Sequence, residues 1–168
     1  MQSKSRFLIL AISAVALAAP VAPVAGQRAD DQILPKSLEL EHQAREAISA
    51  GKLGQAEDLL ETALVVDPRN RGAFVEIARV AEKQHLFGKA IRMTNKALLL
   101  EPNDADAIAV QGEAMVEMGA TARAQANLQK LQAICGAKGC PQLAQLSGAI
   151  SRGPTVATAK APESPKSN

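Results

Sequence analysis

The sequence holds 168 residues, with 19 Lys and Arg against 17 Asp and Glu and a formal net charge of +2. Aromatic residues make up only 2%, three Phe with no Tyr or Trp. A chain so nearly neutral and so poor in rings lacks the basic stripe and stacking platforms of a nucleic-acid binder, and its length suits one domain with short tails.

Met1 to Arg6 (MQSKSR) carries Lys4 and Arg6 and no acid, and Phe7 to Ala19 (FLILAISAVALAA) is apolar until Pro20 and Pro23 interrupt it. A basic start, a short apolar run and small residues near a break describe a secretory signal peptide over residues 1–26, with cleavage after Gly26. The run is short for a permanent membrane span, although an uncleaved anchor is the alternative. No Cys follows it closely, which argues against a lipid anchor. Removing residues 1–26 takes away two basic and no acidic residues, so the remainder is formally neutral with 17 of each. The expected location is the periplasm or, alternatively, the outside of the cell. No stable membrane span is expected after cleavage.

Residues 27–36 (QRADDQILPK) are polar and read as a loose lead-in, with Ile33 and Leu34 touching the first ordered unit. From Ser37 onward one 34-residue unit occurs three times without a gap, at residues 37–70, 71–104 and 105–138. Small residues recur in register: Ala44, Ala78 and Gly112 at the eighth position, and Ala56, Ala90 and Ala124 at the twentieth. They let the two helices of a unit approach closely. Leu40, Phe74 and Ile108 fill the fourth position, and Leu60, Thr94 and Leu128 the twenty-fourth. Gly51, His85 and Gly119 share the fifteenth, where a left-handed residue ends the first helix. Pro68 and Pro102 each follow an apolar run and end the second helix. The predicted pairs are Ser37–Ala50 with Leu53–Val66, Arg71–Gln84 with Phe87–Leu100, and Asp104–Met118 with Thr121–Ile134. Asp104 and Thr121 are the expected N-caps.

These positions resemble the tetratricopeptide repeat over about Ser37 to Cys135. The match departs at Gln43 and Gln111, where an apolar residue is usual, at Ala47 and Ala81, where an aromatic is usual, and at Gly136, where Pro is usual. The resemblance implies an all-α, right-handed superhelical α-solenoid of three helix-turn-helix repeats, and a domain spanning residues 37–150.

Pro141 opens a further apolar pattern, with Leu143, Leu146 and Ile150 on one face, so residues 140–150 are expected to form a helix that caps the stack. Residues 151–168 (SRGPTVATAKAPESPKSN) carry almost no large apolar side chain and are expected to be a disordered tail. Cys135 and Cys140 flank Gly-Ala-Lys-Gly and, in an exported chain, read as a disulfide. Metal is not expected, because His42 and His85 are the only histidines and neither is near the cysteines; a c-type haem site would need a His where Pro141 stands. No cofactor is expected.

No nucleophile-and-base arrangement and no phosphate-binding glycine loop emerges, so the chain does not read as an enzyme. Glu57, Asp58 and Glu61 read as a solvated helix face. The resemblance implies instead a concave groove lined by the second, fifth, ninth, twelfth and thirteenth positions of the first helices. Carried over, these include Leu38, Glu41, Arg45, Ile48 and Ser49, then Gly72, Val75, Arg79, Glu82 and Lys83, then Asp106, Ala109, Glu113, Val116 and Glu117. The column Arg45, Arg79 and Glu113 either grips a peptide carboxylate through its arginines or pairs with itself between Arg79 and Glu113. The leading function is a non-catalytic protein-interaction scaffold of the cell envelope that holds a peptide or helix in the groove. One alternative is an accessory factor in envelope biogenesis, such as pilus or secretion assembly or cytochrome maturation. Another is a thiol-disulfide redox protein using Cys135 and Cys140. Protein or peptide partners are implied, together with weak self-association through an exposed apolar edge.

Overall fold

The computed structural model describes residues 32–155. The leader, residues 27–31 and residues 156–168 lie outside the described residues, and with them the expectations made for those stretches. The described residues form seven α-helices: α1 (Pro35–Ser49), α2 (Leu53–Val66), α3 (Arg71–Lys83), α4 (Phe87–Leu100), α5 (Ala105–Glu117), α6 (Thr121–Cys135) and α7 (Pro141–Arg152). A 3-10 turn, Gly136–Lys138, precedes α7. The architecture is an all-α solenoid.

Helices α1 and α2, α3 and α4, and α5 and α6 pack as pairs, and each later pair rests on the one before, α3 against α1 and α2, and α5 against α3 and α4. The turn inside each pair depends on one backbone conformation. Gly51, His85 and Gly119 have φ of 72°, 59° and 74°, the left-handed region in which only His85 carries a Cβ. The pairs close on small side chains. Ala44, Ala78, Ala56, Ala90 and Ala124 are all 0% exposed, and nothing larger fits between helices this close.

Caps account for where the later pairs begin. Asn70 accepts a hydrogen bond from the Ala73 N–H at 3.0 Å and Asp104 accepts one from Ala107. Asn70 was not expected as a cap. Thr121, expected as one, is instead the first residue of α6, behind Ala120 and with no side-chain cap. The first helix starts earlier than expected, because Pro35 stands at its first turn, where its missing N–H is not needed. The lead-in is tied down from Gln32 onward. The Leu34 N–H donates to Asp67 Oδ2 at 3.0 Å, Arg69 donates to the Gln32 carbonyl at 3.0 Å, and Ile33 is buried. Asp67 is held well below the usual carboxylate range by the hydrogen bonds of Arg69 and then by the Leu34 N–H.

The two glutamines that break the apolar pattern have separate explanations. Gln43 is exposed, because among the described residues no earlier pair covers α1, and it donates to Glu39 at 3.0 Å. Gln111 is buried, but fully engaged: it donates to Asn95 Oδ1 at 2.7 Å and accepts from Asn127 Nδ2 at 3.1 Å, joining α4, α5 and α6. A buried amide so satisfied adds specificity without the penalty of an orphaned group.

Helix α7 covers the end of the stack, ending two residues beyond the expected Ile150, with Ser151 and Arg152, expected in the tail, as its last residues. Leu146 is 0% exposed and packs with Ile108, Ala109 and Leu131. It sits directly over Gly112, where an added Cβ would meet Leu146 Cδ1 at 2.6 Å. Cys135 and Cys140 form a disulfide with their Cα atoms 5.6 Å apart, tying the end of α6 to the start of α7. The intervening Gly136 and Gly139 both adopt positive φ, 59° and 67°.

Two outcomes are expected from denaturant unfolding. Gly112→Ala should lose about 1–3 kcal/mol, because Leu146 has no space to yield, whereas Gly54→Ala, which meets nothing within 4 Å, should be neutral or gain up to about 1 kcal/mol. The double variant Cys135→Ser/Cys140→Ser should lose roughly 2 kcal/mol, the chain-entropy value for so short a loop; an unchanged midpoint would mean that the bridge does not form.

Candidate functional site

Helices α1, α3 and α5 run side by side along one face of the stack, and their sequence-predicted residues fall on three levels. The fifth positions are covered by neighbouring helices: Glu41, Val75 and Ala109 are 5%, 4% and 0% exposed. They form the floor of the face rather than its open surface. Val116 is likewise buried, and Ile48 is half-buried against the first unit's core. Ser49 and Lys83 are exposed and Leu38 is 44% exposed. Gly72 passes directly over Glu41, and a Cβ there would stand 2.8 Å from the Glu41 carboxyl carbon.

The ninth positions do not form a free arginine column. Arg45 donates through Nε to Glu76 Oε1 at 2.9 Å and through Nη2 to Glu41. Arg79 donates through Nη2 to Asp106 Oδ1 at 2.9 Å, with its Nε 3.9 Å from Glu76 Oε2. Arg45, Arg71, Gly72, Val75, Glu76, Arg79, Asp104 and Asp106 line a cavity of about 120 Å³. The Arg79–Glu113 pairing foreseen from the repeat register is replaced by Arg79–Asp106, and Glu113 instead accepts from Gln145 of α7 at 2.9 Å. Gln142 reaches Asp106 at 3.2 Å, so α7 completes the same face. The sequence reading missed Glu76, Gln142 and Gln145. Glu76 stands three residues before Arg79 on one helix, a spacing that signals a pair.

Beyond the arginines the face turns acidic. Glu82 of α3 lies near Glu113 and Glu117 of α5, and its pKa is pushed up to about 8. Burial is the main cause, followed by the charge of Glu113; Arg79 opposes the shift, and Glu117 adds to it. The carboxyl group is therefore protonated at neutral pH and can donate a hydrogen bond, which a carboxylate cannot.

Other candidates fall outside this face. His42 is an exposed helix residue with Nδ1 3.4 Å from Glu46, and His85 sits in its turn edge-on to Phe87, ring centroids 5.9 Å apart. Glu57 is not the solvated residue expected. It is half-buried, accepting from Lys89 and from Gln84 at 3.5 Å, and it ties α2 to the second pair. Among the described residues no cluster of three His, Cys, Asp or Glu could hold a metal ion, and no helix is long and apolar enough to cross a membrane. Val65 and Leu99, one period apart on α2 and α4, are 83% and 84% exposed on the opposite, outer side.

A scan against protein-family models finds no match, and a search of curated proteins finds none. Solved structures do match. The chain is similar to the Sgt2 TPR domain from Aspergillus fumigatus, at 21% identity and a TM-score of 0.65, over 71% of this chain and 79% of that one. It is similar to the TPR2B domain of yeast Sti1, solved as a complex with pHsp70, at 20% identity and a TM-score of 0.62, over 70% and 97%. It is also similar to the second TPR domain of human RPAP3, solved in complex with the HSP70 peptide SGPTIEEVD, at 17% identity and a TM-score of 0.61, over 69% and 95%. Identities this low establish a shared fold.

The Glu82 shift carries a signed pH dependence. The folded chain holds a proton that the unfolded chain releases near the ordinary Glu value, so this contribution to stability falls as pH rises from about 4.5 through about 8. Glu82→Gln should match the parent near pH 4 and exceed it at pH 9 by on the order of 2 kcal/mol in urea unfolding; a difference independent of pH would place Glu82 in water.

Proposed function

We propose that this chain is a non-catalytic interaction module of the tetratricopeptide fold, holding a peptide or helix of a protein partner on the face built by α1, α3, α5 and α7. The observation that carries the reading is the face itself. Helices from three successive units present polar side chains in register beside a partly buried Glu82. Similar domains of yeast Sti1 and human RPAP3 were solved in complex with pHsp70 and with an HSP70 peptide. The ligand here should differ from an acidic peptide, because Glu41, Glu76 and Asp106 already engage Arg45 and Arg79. Such a module would act by bringing partners together.

The site of action is proposed to be the periplasm. The leader-like residues 1–26 and a disulfide at Cys135–Cys140 both suit an exported chain. The thiol-disulfide reading is less well supported, because the bridge joins two helix ends at the cap of the stack, where a structural staple is wanted.

A phage-displayed 12-residue peptide library panned against residues 27–168 tests the face. Enriched peptides should lose at least tenfold in affinity, by fluorescence anisotropy, when Ser49→Glu and Lys83→Glu recharge the concave face. The same peptides should be indifferent to Val65→Ser and Leu99→Ser on the outer side. The reverse pattern would move the site to the outer helices.

A further inference from the structure

This inference rests on the concave-face reading and names the chemical group that the face takes at one point, the cavity of about 120 Å³ between α1, α3 and α5. Charged side chains of alternating sign run past it. Buried Glu41 accepts from Arg45, and Arg45 reaches on to Glu76 at 2.9 Å. Glu76 stands 3.9 Å from Arg79, and Arg79 reaches Asp106 at 2.9 Å. Gln142 of α7 meets Asp106 from the far side at 3.2 Å. Gly72 keeps its part of the wall bare, because a Cβ there would stand 2.8 Å from the Glu41 carboxyl carbon.

These pairs use only part of the hydrogen-bonding capacity of their members. Arg45 donates through Nε and Nη2 and Arg79 through Nη2; among the described residues the Nη1 group of each donates to no protein atom. Glu76 accepts at Oε1 and Asp106 at Oδ1, while among the described residues Glu76 Oε2 and Asp106 Oδ2 accept from nothing within hydrogen-bond distance. The cavity thus offers both donors and acceptors, and that combination selects its ligand. A carboxylate supplies acceptors alone, and it would join Glu41, Glu76 and Asp106, which already outnumber Arg45 and Arg79. An ammonium or guanidinium supplies donors alone and leaves both Nη1 groups without an acceptor. A primary carboxamide has an oxygen with two lone pairs and an NH2 with two protons, and it brings no net charge to compete with the pairs already made. Size agrees. At the volume of liquid water the cavity has room for on the order of four non-hydrogen atoms, as many as CH2–CONH2 contains.

We infer that the cavity between Arg45, Glu76, Arg79 and Asp106 receives the side-chain carboxamide of an asparagine or glutamine of the partner, its oxygen accepting from the arginines and its NH2 donating to the two carboxylates. Selectivity follows from satisfaction on both sides, because a donor or acceptor enclosed without its partner costs more than a matched bond returns.

The test titrates the 15N-labelled protein with acetamide, N-methylacetamide, acetate and methylammonium at matched ionic strength. Acetamide should shift the Gly72 amide and the Arg45 and Arg79 Nε–H resonances saturably, about fivefold or more tightly than the other three. Equal or tighter binding of acetate would make this a carboxylate site, of methylammonium an acidic one, and of N-methylacetamide, with its single N–H, a backbone site. Each of these overturns the inference, as does the absence of any saturable shift. A second arm takes library-selected peptides whose binding is lost on Ser49→Glu and Lys83→Glu. One Asn or Gln in each should be worth about tenfold or more in affinity when changed to Asp or to Leu. If such peptides bind with no dependence on an amide side chain, the carboxamide site is wrong and the concave face stands. If no peptide responds to the concave substitutions, the concave reading falls, and the probe titration decides the cavity by itself.

Discussion

The structure depends on how closely paired helices can approach, and that distance is set by side chains that are nearly absent. Ala44, Ala78, Ala56, Ala90 and Ala124 are wholly buried at the contacts between helices, with Gly112 at the equivalent place in the third unit. A larger residue at any of them would push a helix outward and rotate every later pair with it, because each pair rests on the one before. The curvature of the concave face is therefore fixed by small residues that no ligand would touch. The wide spread of hydrophobic contacts has the same origin. Four local clusters, rather than one central core, run along the stack.

On that frame the charges are arranged so that the obvious cations are occupied. Arg45 and Arg79 face the groove, but each is engaged by carboxylates of its own and the next unit. The pairs fix neighbouring helices in register and leave the face less cationic than its arginine count implies. At the far end the opposite sign prevails, and burial meets like-charge repulsion by keeping Glu82 protonated. The proposed partner of such a face, neutralised at one side and acidic at the other, is one with small or basic side chains.

The period, the pairing and the capping helix were legible because each is written locally: Pro68 and Pro102 end helices, Gly51 and Gly119 turn them, and Pro141 starts one. The site was legible only as a set of positions. Residues one period apart are equivalent, but they are not the residues that meet. Arg45 reaches Glu76 at a separation of 31 and Arg79 reaches Asp106 at 27, about one or two turns short of the 34-residue register. The Arg79–Glu113 pair was therefore misjudged, and Glu76 was passed over. Glu57 was misread for a related reason, since the partner that removes it from water, Lys89, lies in the next unit. Gln111 looked like a defect until the amides of Asn95 and Asn127 were found beside it.

The two ends of the stack are not alike. At the end formed by α6, a further helix is laid over the last apolar face and stapled by Cys135–Cys140. At the end formed by α1 and α2 there is no such helix among the described residues, and the segment before α1 is held mainly by Asp67 and Arg69. In a chain of nearest-neighbour contacts, loss of structure proceeds inward from whichever end is looser. Fraying then has a direction. The first unit is then expected to open and reclose most often and the third least, so that amide exchange slows from α1 toward α5.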